Sequence, residues 1–435
     1  MVEHDLTGEL DAFLAGHESE LIEFRRDLHA HPEIGYSEHR TTHKIALRLE
    51  SAGLRPTILP KGTGIIADVG GEADEAPVVA LRADIDALPI IDEKNVPYRS
   101  LNPGACHACG HDVHTTILTG TGLFLARAAA AGGLPGKVRL IFQPAEEVPG
   151  GALDVLAAGG ISSVDRVFAL HCDPKLDVGK VGTRIGPITA ACDKIKVQLS
   201  GPGGHTARPH LTADLVYALG KIVTELPAAL SRRIDPRSGL SLVWGRVSAG
   251  SAANAIPDFG VAEGTVRCLD DSAWHAAPEV LKTLVESVSS AYGVTSDLSY
   301  ERSVPPTVND AASTAMISAA ADRVLGPGSV APAPQSLGGE DFAWYLESIP
   351  GSLFRLGTRQ PGSEQEFDIH QPMFDVDERC IGVGIKMMAA TAMTAIGDGC
   401  GHRAMQPAQN RVTAAVTSTD DVTLAGPLLA PGRPG

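Results

Sequence analysis

Short apolar segments of strand length alternate with helical segments in the first 190 residues of this 435-residue chain. Residues 65–69, 78–81, 138–142 and 167–170 are apolar runs, and residues 115–131 have helical spacing between the second and third of them. Strands that alternate with helices predict a mostly parallel sheet with helices on both faces. We therefore expect an α/β fold, because few other architectures accommodate this order of elements.

The hydrophobic pattern changes near residue 190. Ile195, Val197 and Leu199 alternate with polar residues, which is typical of a strand with one buried face. The segment continues as a helix, two strands, a helix and a last strand near residue 298. This order predicts a smaller α+β unit, and the α/β pattern resumes after it.

A chain of 435 residues is too long for one ordinary domain, so two are expected. The change of pattern predicts that one domain is inserted into the other. Beyond residue 397 the chain is rich in Gly, Pro, Thr and Ala and lacks aromatic residues, which predicts a disordered tail. The expected boundaries are 1–189 and 303–397 for the α/β domain, 190–302 for the inserted domain and 398–435 for the tail.

The composition excludes several classes of protein. A formal net charge of −16 argues against binding to nucleic acid or to anionic membranes. We find no apolar run of the roughly 18 residues that would predict a membrane-spanning helix, and the first residues do not resemble a signal peptide. Seven scattered cysteines suit free thiols in a reducing compartment. We expect a cytoplasmic protein without nucleic-acid or membrane partners.

The segment from Cys106 to His114 contains two cysteines and three histidines within nine residues. A thiolate and a neutral imidazole two positions apart, as at Cys109 and His111, are strong ligands for a divalent metal. Two other interpretations stay open. Cys106 and Cys109 could form a redox pair, or the segment could be half of a structural zinc site, although no second pair with similar spacing occurs.

Three of the predicted strands run directly into acidic or histidine side chains. Asp84 and Asp86 follow the second apolar run, Glu146 and Glu147 follow the third, and His171 follows the fourth. In open α/β sheets, ligands bind beyond the carboxyl ends of the strands. Each residue alone also has a structural interpretation, either as a buried histidine or as a solvated carboxylate. Together they predict a site at one edge of the sheet.

Adjacent carboxylates at this edge can divide two tasks. Glu147 could bind a metal while Glu146 stays free as a general base. Two metal ions need a bridging ligand, and a thiolate sulfur can hold two cations. Water between the ions, with a lowered pKa, would be the nucleophile. The candidate ligands are Cys109 as the bridge, with His111, Glu147, His171 and His370.

Eight short motifs appear in order along residues 21–395. They are LHAHPE at 28–33, RADIDALP at 82–89, HACGHD at 107–112, QPAEE at 143–147, GGH at 203–205, NAIP at 254–257, GEDF at 339–342 and HQPMF at 370–374. With these motifs the chain resembles the dinuclear metal amidohydrolases of the aminoacylase/carboxypeptidase-G type. Within that family it is most similar to the subgroup of hippurate hydrolases, N-acyl-amino-acid deacylases and auxin-conjugate (IAA-amino acid) hydrolases.

The resemblance implies two divalent metal ions per subunit, with zinc, manganese or cobalt as candidates. In this family pattern, Cys109 bridges both ions. His111 and His171 complete the coordination of one ion, and Glu147 and His370 that of the other.

The resemblance also implies roles for residues around the metals. Glu146 is expected to be the general base, and Asp86 to orient a ligand imidazole. The inserted domain is expected to mediate a homodimer, so that His205 stabilises the oxyanion in the cleft of the partner subunit. Asn254 and Arg267 are expected to hold the substrate carboxylate.

We therefore predict a hydrolase that cleaves the amide bond of N-acyl-L-amino acids or related conjugates. One alternative is a dipeptidase or an aminobenzoyl-glutamate-type peptidase with the same dinuclear site. Alternatives from other classes are a thiol–disulfide protein that uses Cys106 and Cys109, and a binding protein without catalysis.

Overall fold

The computed structural model describes residues 5–71, 76–148, 150–363 and 367–397. The predicted tail, 398–435, lies outside the described residues. The helices are α1 (Leu6–Ala30), α2 (His39–Ser51), α3 (His111–Ala130), α4 (Gly151–Ala157), α5 (Leu215–Arg233), α6 (Asp271–Ser290), α7 (Ala311–Val324), α8 (Ala343–Leu346) and α9 (Arg379–Gly397). Short 3₁₀ turns lie at Pro209–Leu211 and Pro236–Ser238.

The strands form one large sheet, one four-stranded sheet and two small ribbons. They are β1 (Thr57–Ile58), β2 (Ile65–Gly70), β3 (Val78–Asp84), β4 (Lys137–Gln143), β5 (Arg166–Asp177), β6 (Val181–Thr183), β7 (Gly186–Thr189), β8 (Ala191–Ser200), β9 (Gly204–His205), β10 (Ser241–Ala249), β11 (Ala255–Ile256), β12 (Phe259–Cys268), β13 (Thr295–Val304), β14 (Thr307–Asn309), β15 (Val330–Pro332) and β16 (Gly351–Arg359).

The large sheet has the strand order β1-β2-β4-β3-β5-β16-β6-β15. Its central strands β4, β3, β5 and β16 pair in parallel, whereas β2 pairs antiparallel with β4 and β6 pairs antiparallel with β16. One core joins the sheet to α1, α2, α3, α7 and α9, and another joins it to α4 and α8. The predicted α/β fold, with a mostly parallel sheet and helices on both faces, is confirmed.

The segment between the two parts of this sheet forms a second unit, in which two helices pack on one antiparallel sheet. Its antiparallel sheet has the order β10-β12-β8-β13, and α5 and α6 pack on one face against Ile195, Val197 and Leu199. The alternating Lys194 and Lys196 lie on the opposite face. The predicted α+β arrangement is confirmed, while the residue boundaries of the domains stay a prediction.

Aspartate side chains begin four of these helices. Asp5, Asp214, Asp270 and Asp310 each accept a hydrogen bond from the backbone N–H three residues later, at the starts of α1, α5, α6 and α7. A cap of this kind satisfies one of the backbone donors that a helix end leaves without a partner.

Helix α9 differs from one expectation. Its 19 residues are long and apolar enough to span a membrane by length and composition, and 72% of the relevant window is buried inside the protein. The expectation that no segment of about 18 residues is apolar enough to span a membrane was therefore wrong. The burial has a plain cause, because α9 packs against α3 and α7 in the larger core.

A buried guanidinium connects α1, α3 and the start of α9. Arg25 is 1% exposed, and its nitrogens lie 2.7 Å from Asp112 Oδ2, 2.9 Å from Asp375 Oδ1 and 3.3 Å from Glu378 Oε1. Burial opposes the charge, yet these carboxylates, Asp112 first, hold the pKa of Arg25 above its ordinary value. The arginine therefore stays charged within the core.

Replacing Arg25 by alanine is expected to lower the free energy of unfolding by about 3–5 kcal/mol, because it leaves buried carboxylates without a counter-ion. Urea denaturation measures this change. The control is Arg127→Ala on the exposed last turn of α3, where we expect a change within about 0.5 kcal/mol. Equal effects of the two substitutions would contradict the structural role of Arg25.

Candidate active site

The strand ends bring the predicted residues to one edge of the large sheet. Strand β3 ends at Asp84, β4 ends at Gln143 just before Glu146 and Glu147, and α3 begins at His111. His171 lies within β5 and not at its end, because β5 pairs with β16 beyond this residue. The predicted side chains therefore do lie close together. Strand β5, however, is longer than expected.

Cysteine 109 belongs to two groups of potential metal ligands. The ligand atoms of Cys109, His111 and His171 lie within 4.8 Å of one another, and so do those of Cys109, Glu147 and His370. Cys109 Sγ is 3.4 Å from His171 Nε2. All five predicted ligand residues are thus brought together, and the two groups share one sulfur atom.

Distances within the second group are also short. Glu147 Oε1 lies 3.2 Å from His370 Nε2 and 4.0 Å from His111 Nε2. The loop that carries His370 is held by a hydrogen bond of 2.7 Å, which His370 N donates to Ala108 O. This backbone contact places the distant His370 beside the segment of Cys109.

A buried polar atom in the cluster supports a metal. His111 Nε2 is buried, and no hydrogen-bond partner is found for it within the described part of the chain. Burial alone would lower the pKa of His111, but the carboxylates Asp84 and Asp86 raise it to about 10. The pocket therefore carries an excess of negative charge that a cation would neutralise.

The donor atoms are of the types that a divalent metal accepts. Sulfur, imidazole nitrogen and carboxylate oxygen are the protein ligands of zinc. Burial lowers the pKa of His171, with Arg355 adding to the effect, so its imidazole is in the neutral form that binds metals. Burial also raises the pKa of the Cys109 thiol, so its thiolate would need a nearby cation.

Asp86 contacts two of the candidate ligands. His111 Nδ1 lies 3.1 Å from Asp86 Oδ1, and Glu147 N donates to Asp86 Oδ2 at 3.0 Å. Contacts of this kind turn the free nitrogen of an imidazole toward a metal. The orienting role of Asp86 stays a prediction.

Glu146 lies beside the cluster. One of its oxygens is within 4.8 Å of ligand atoms of both His111 and Glu147. Burial, followed by the negative charges of Glu340 and Glu147, raises the pKa of Glu146 well above its ordinary value. A carboxyl group with a raised pKa is suited to accept and return a proton.

A buried network behind the cluster was not predicted. His114 Nδ1 donates to Asp84 Oδ1 at 2.6 Å, and Cys172 N donates to His114 Nε2 at 2.9 Å. Arg82 Nη1 lies 2.6 Å from Asp84 Oδ2 and Nη2 lies 2.8 Å from Asp341 Oδ1. The signal in the sequence was a pair of opposite charges, Arg82 and Asp84, on one face of an otherwise apolar strand.

Glycine 110 permits the turn between Cys109 and α3. Its φ is 88°, in the left-handed region, and a Cβ at this position would lie 2.9 Å from Cys172 Sγ. Any other residue would therefore be strained and crowded. The turn allows the sulfur of Cys109 and the ring of His111 to face the same cluster.

A second group of buried potential metal ligands already lies beside a positively charged side chain. His29, Asp92 and Cys106 also lie close together, but Lys94 Nζ is 3.1 Å from Asp92 Oδ1 and 3.5 Å from Cys106 Sγ. The ammonium group already supplies the positive charge there. Cys106 and Cys109 are both free, so no disulfide is present between them.

The remaining predicted site residues are His205, Asn254 and Arg267. His205 and Ala255 are paired in the β9–β11 ribbon, Thr206 N donates to Asn254 O at 3.2 Å, and both His205 and Asn254 are exposed. Arg267 Nη1 donates to Leu337 O at 3.0 Å. Within the described ranges, no hydrogen bond or ion pair joins these side chains to Cys109 or its neighbours.

A parallel sheet that gathers metal-binding side chains and a proton-accepting carboxyl at one edge defines a metal-dependent hydrolase. Comparison with known proteins agrees. The model of peptidase family M20/M25/M40 matches residues 80–394. An N-acetyl-L-cysteine deacetylase of Bacillus subtilis (strain 168) is 40% identical over 366 residues, which cover 84% of this chain and 85% of that protein.

A solved structure leads to the same family. The YxeP protein of Bacillus subtilis, described as a dinuclear metal-binding peptidase from the M20 family, is 36% identical with a TM-score of 0.76. The match covers 88% of this chain and 99% of that one. The chain belongs to the M20/M25/M40 peptidase family. It is a metal-dependent amide hydrolase, which confirms the resemblance predicted from the motifs.

One relative is much longer than this chain. A Rhodococcus jostii (strain RHA1) protein named "Putative glutamate--cysteine ligase 2-3" is 47% identical over 375 residues. The match covers 86% of this chain but 46% of that protein, so the chain spans about half of that relative's length.

Proposed function

We propose that this protein hydrolyses the amide bond of N-acyl-L-amino acids at a centre of two divalent cations. The observation that carries the proposal is the pair of ligand groups that share Cys109, with Glu146 beside them. His111 and His171 would hold one cation, and Glu147 and His370 the other. The relative named N-acetyl-L-cysteine deacetylase supports this class of substrate.

The cations would polarise the amide carbonyl and lower the pKa of water. Zinc suits the thiolate of Cys109, and manganese or cobalt would also accept the imidazole and carboxylate ligands. Glu146 takes a proton from the attacking water and returns it to the nitrogen of the leaving amine. Asp86 keeps the ring of His111 in the orientation that binding requires.

Asn254 and Arg267 would hold the carboxylate of the substrate, because a guanidinium offers a fork of donors to a carboxylate. His205 would stabilise the oxyanion that forms at the carbonyl. In this structure His205 is exposed and paired with Ala255, and among the described residues no hydrogen bond or ion pair joins it to the cluster of its own chain. We therefore propose that it acts in the cleft of a partner subunit.

We propose that the inserted domain spans residues 190–302 and that the homodimer forms through its surface. Exposed apolar side chains are unfavourable in water and commonly mark protein interfaces. We also propose a cytoplasmic location, because the cysteines of the described residues are all free. The exposed apolar side chains of this domain include Leu211, Val216, Tyr217, Val243, Val247 and Phe259.

A substrate panel tests the proposed function. Protein loaded with zinc, manganese or cobalt should hydrolyse N-acetyl-L-cysteine, N-acetyl-L-alanine or indole-3-acetyl-L-alanine. It should act more slowly on L-alanyl-L-alanine and p-aminobenzoyl-L-glutamate. Faster hydrolysis of the last two would favour the peptidase alternative. Chelated protein is the control, and activity that survives chelation would contradict a metal-dependent reaction.

Mixing two inactive variants tests the role of His205. Glu146→Gln and His205→Ala are each expected to lose most activity. A mixed dimer would combine an intact Glu146 with a partner's intact His205 in one of its two sites, so random mixing should restore about one quarter of wild-type turnover. Steady-state kinetics after subunit exchange measures the gain. No gain would mean that His205 acts within its own chain or not at all.

A further inference from the structure

Arg355 lies next to a proposed metal ligand without belonging to the proposed site. It is paired in register with His171 across the parallel strands β16 and β5. Side chains paired in this way project from the same face of a sheet, and neighbouring strands lie about 4.8 Å apart. Arg355 therefore projects from the sheet beside His171.

Arg355 is partly buried, and its guanidinium has no ion-pair partner in the part of the chain that the structure describes. Among the residues that the structure describes, no carboxylate pairs with it and no side chain accepts a hydrogen bond from it. The contrast is Arg359 on the same strand, whose Nε is 2.6 Å from Asp177 Oδ1. A partly buried charge without a partner is costly, so a ligand that supplies the missing charge would bind favourably.

Two small residues lie beside Arg355. Gly182 is paired with Arg355 on β6, and a Cβ on Gly182 would lie 3.2 Å from the Cβ of Arg355 and 3.3 Å from that of Ala333. Neither neighbour has a side chain that can accept a hydrogen bond.

We propose that Arg355 binds a second carboxylate of the substrate. The preferred substrates would then be N-acyl-L-amino acids that carry a carboxylate besides the α-carboxylate, either in the acyl chain or in the amino-acid side chain. The guanidinium presents two parallel N–H donors, which match the two oxygens of a carboxylate. This inference rests on the proposed function and adds to it a specificity-determining residue.

Kinetics on three substrates test the inference. Metal-loaded wild type and Arg355→Met are compared on N-acetyl-L-alanine, N-succinyl-L-alanine and N-acetyl-L-glutamate. Wild type should prefer at least one substrate with the extra carboxylate. In Arg355→Met, kcat/KM for that substrate should fall roughly 10- to 100-fold, the worth of a charge-assisted hydrogen bond. The value for N-acetyl-L-alanine should stay nearly unchanged.

The affected substrate shows where the carboxylate binds, since the acyl chain and the amino acid are varied separately. Arg355→Lys should restore part of the preference, because it keeps the charge. Arg127→Met, which removes an exposed charge in the last turn of α3, should leave all three rates unchanged. Equal losses on all three substrates with Arg355→Met, or unchanged preference, would overturn the inference.

Calorimetry separates this inference from the proposed function. If none of the substrates is hydrolysed, the proposed function fails, and binding of the same compounds can still be measured. Tighter binding of N-succinyl-L-alanine or N-acetyl-L-glutamate than of N-acetyl-L-alanine, lost in Arg355→Met, would support the role of Arg355. Equal binding of the three compounds by wild type would overturn it.

Discussion

Glu146→Gln is expected to lower turnover by about 10²- to 10⁴-fold, the usual contribution of general acid–base catalysis. Glutamine keeps the size of the side chain but cannot accept a proton from water or return one to the leaving amine. Because Glu146 is not one of the proposed ligands, cation binding should persist. Steady-state kinetics and metal analysis of the same preparation measure both properties.

The matched control for this substitution is Glu279→Gln on the exposed surface of α6. It makes the same chemical change far from the strand ends and should leave turnover unchanged. Full activity of Glu146→Gln would falsify the general-base role. Loss of both activity and cations would instead assign Glu146 a part in holding the metals.

Cys109→Ala is expected to lower kcat/KM at least 100-fold and to weaken the binding of both cations. Loss of a residue that only supports a metal ligand costs 10- to 100-fold, and Cys109 is shared by both ligand groups. Activity measured against free zinc concentration gives both the affinity and the maximal rate. We expect the variant to need a higher concentration of free zinc to reach its maximal rate.

The control for Cys109 is Cys192→Ala, a free and partly exposed thiol on β8. Cys192 belongs to neither of the two ligand groups described above that share Cys109, so its loss should change neither affinity nor rate. If Cys109→Ala kept wild-type affinity for both cations, the shared sulfur would have no role in the centre. If both substitutions had similar effects, the loss would not be specific to Cys109.

Local periodicity in the sequence was sufficient to predict much of the fold. The apolar runs at 65–69, 78–81 and 138–142 correspond to β2, β3 and β4, because buried strands need continuous apolar residues. Strands β6, β7, β14 and β15 have three or four residues each. A segment that short has no measurable period, and it becomes a strand only because neighbouring strands pair with it.

The ligand set could be predicted because metals restrict the residue types that bind them. The sequence could not show that β5 continues past His171, since that depends on pairing with β16. It also did not reveal Arg25 as a buried ionic hub, although a charged residue on the apolar face of α1 was the available signal. Long-range charge pairs such as Arg25–Asp112 follow from tertiary packing and not from local pattern.

The central claim is that one sulfur atom joins two cations. Anomalous diffraction from crystals of the zinc-loaded protein tests it most directly. The account predicts two peaks about 3.5–4 Å apart, each about 2.3 Å from Cys109 Sγ, with His111 and His171 at one and Glu147 and His370 at the other. A single peak, or peaks beside His29, Asp92 and Cys106 instead, would contradict it.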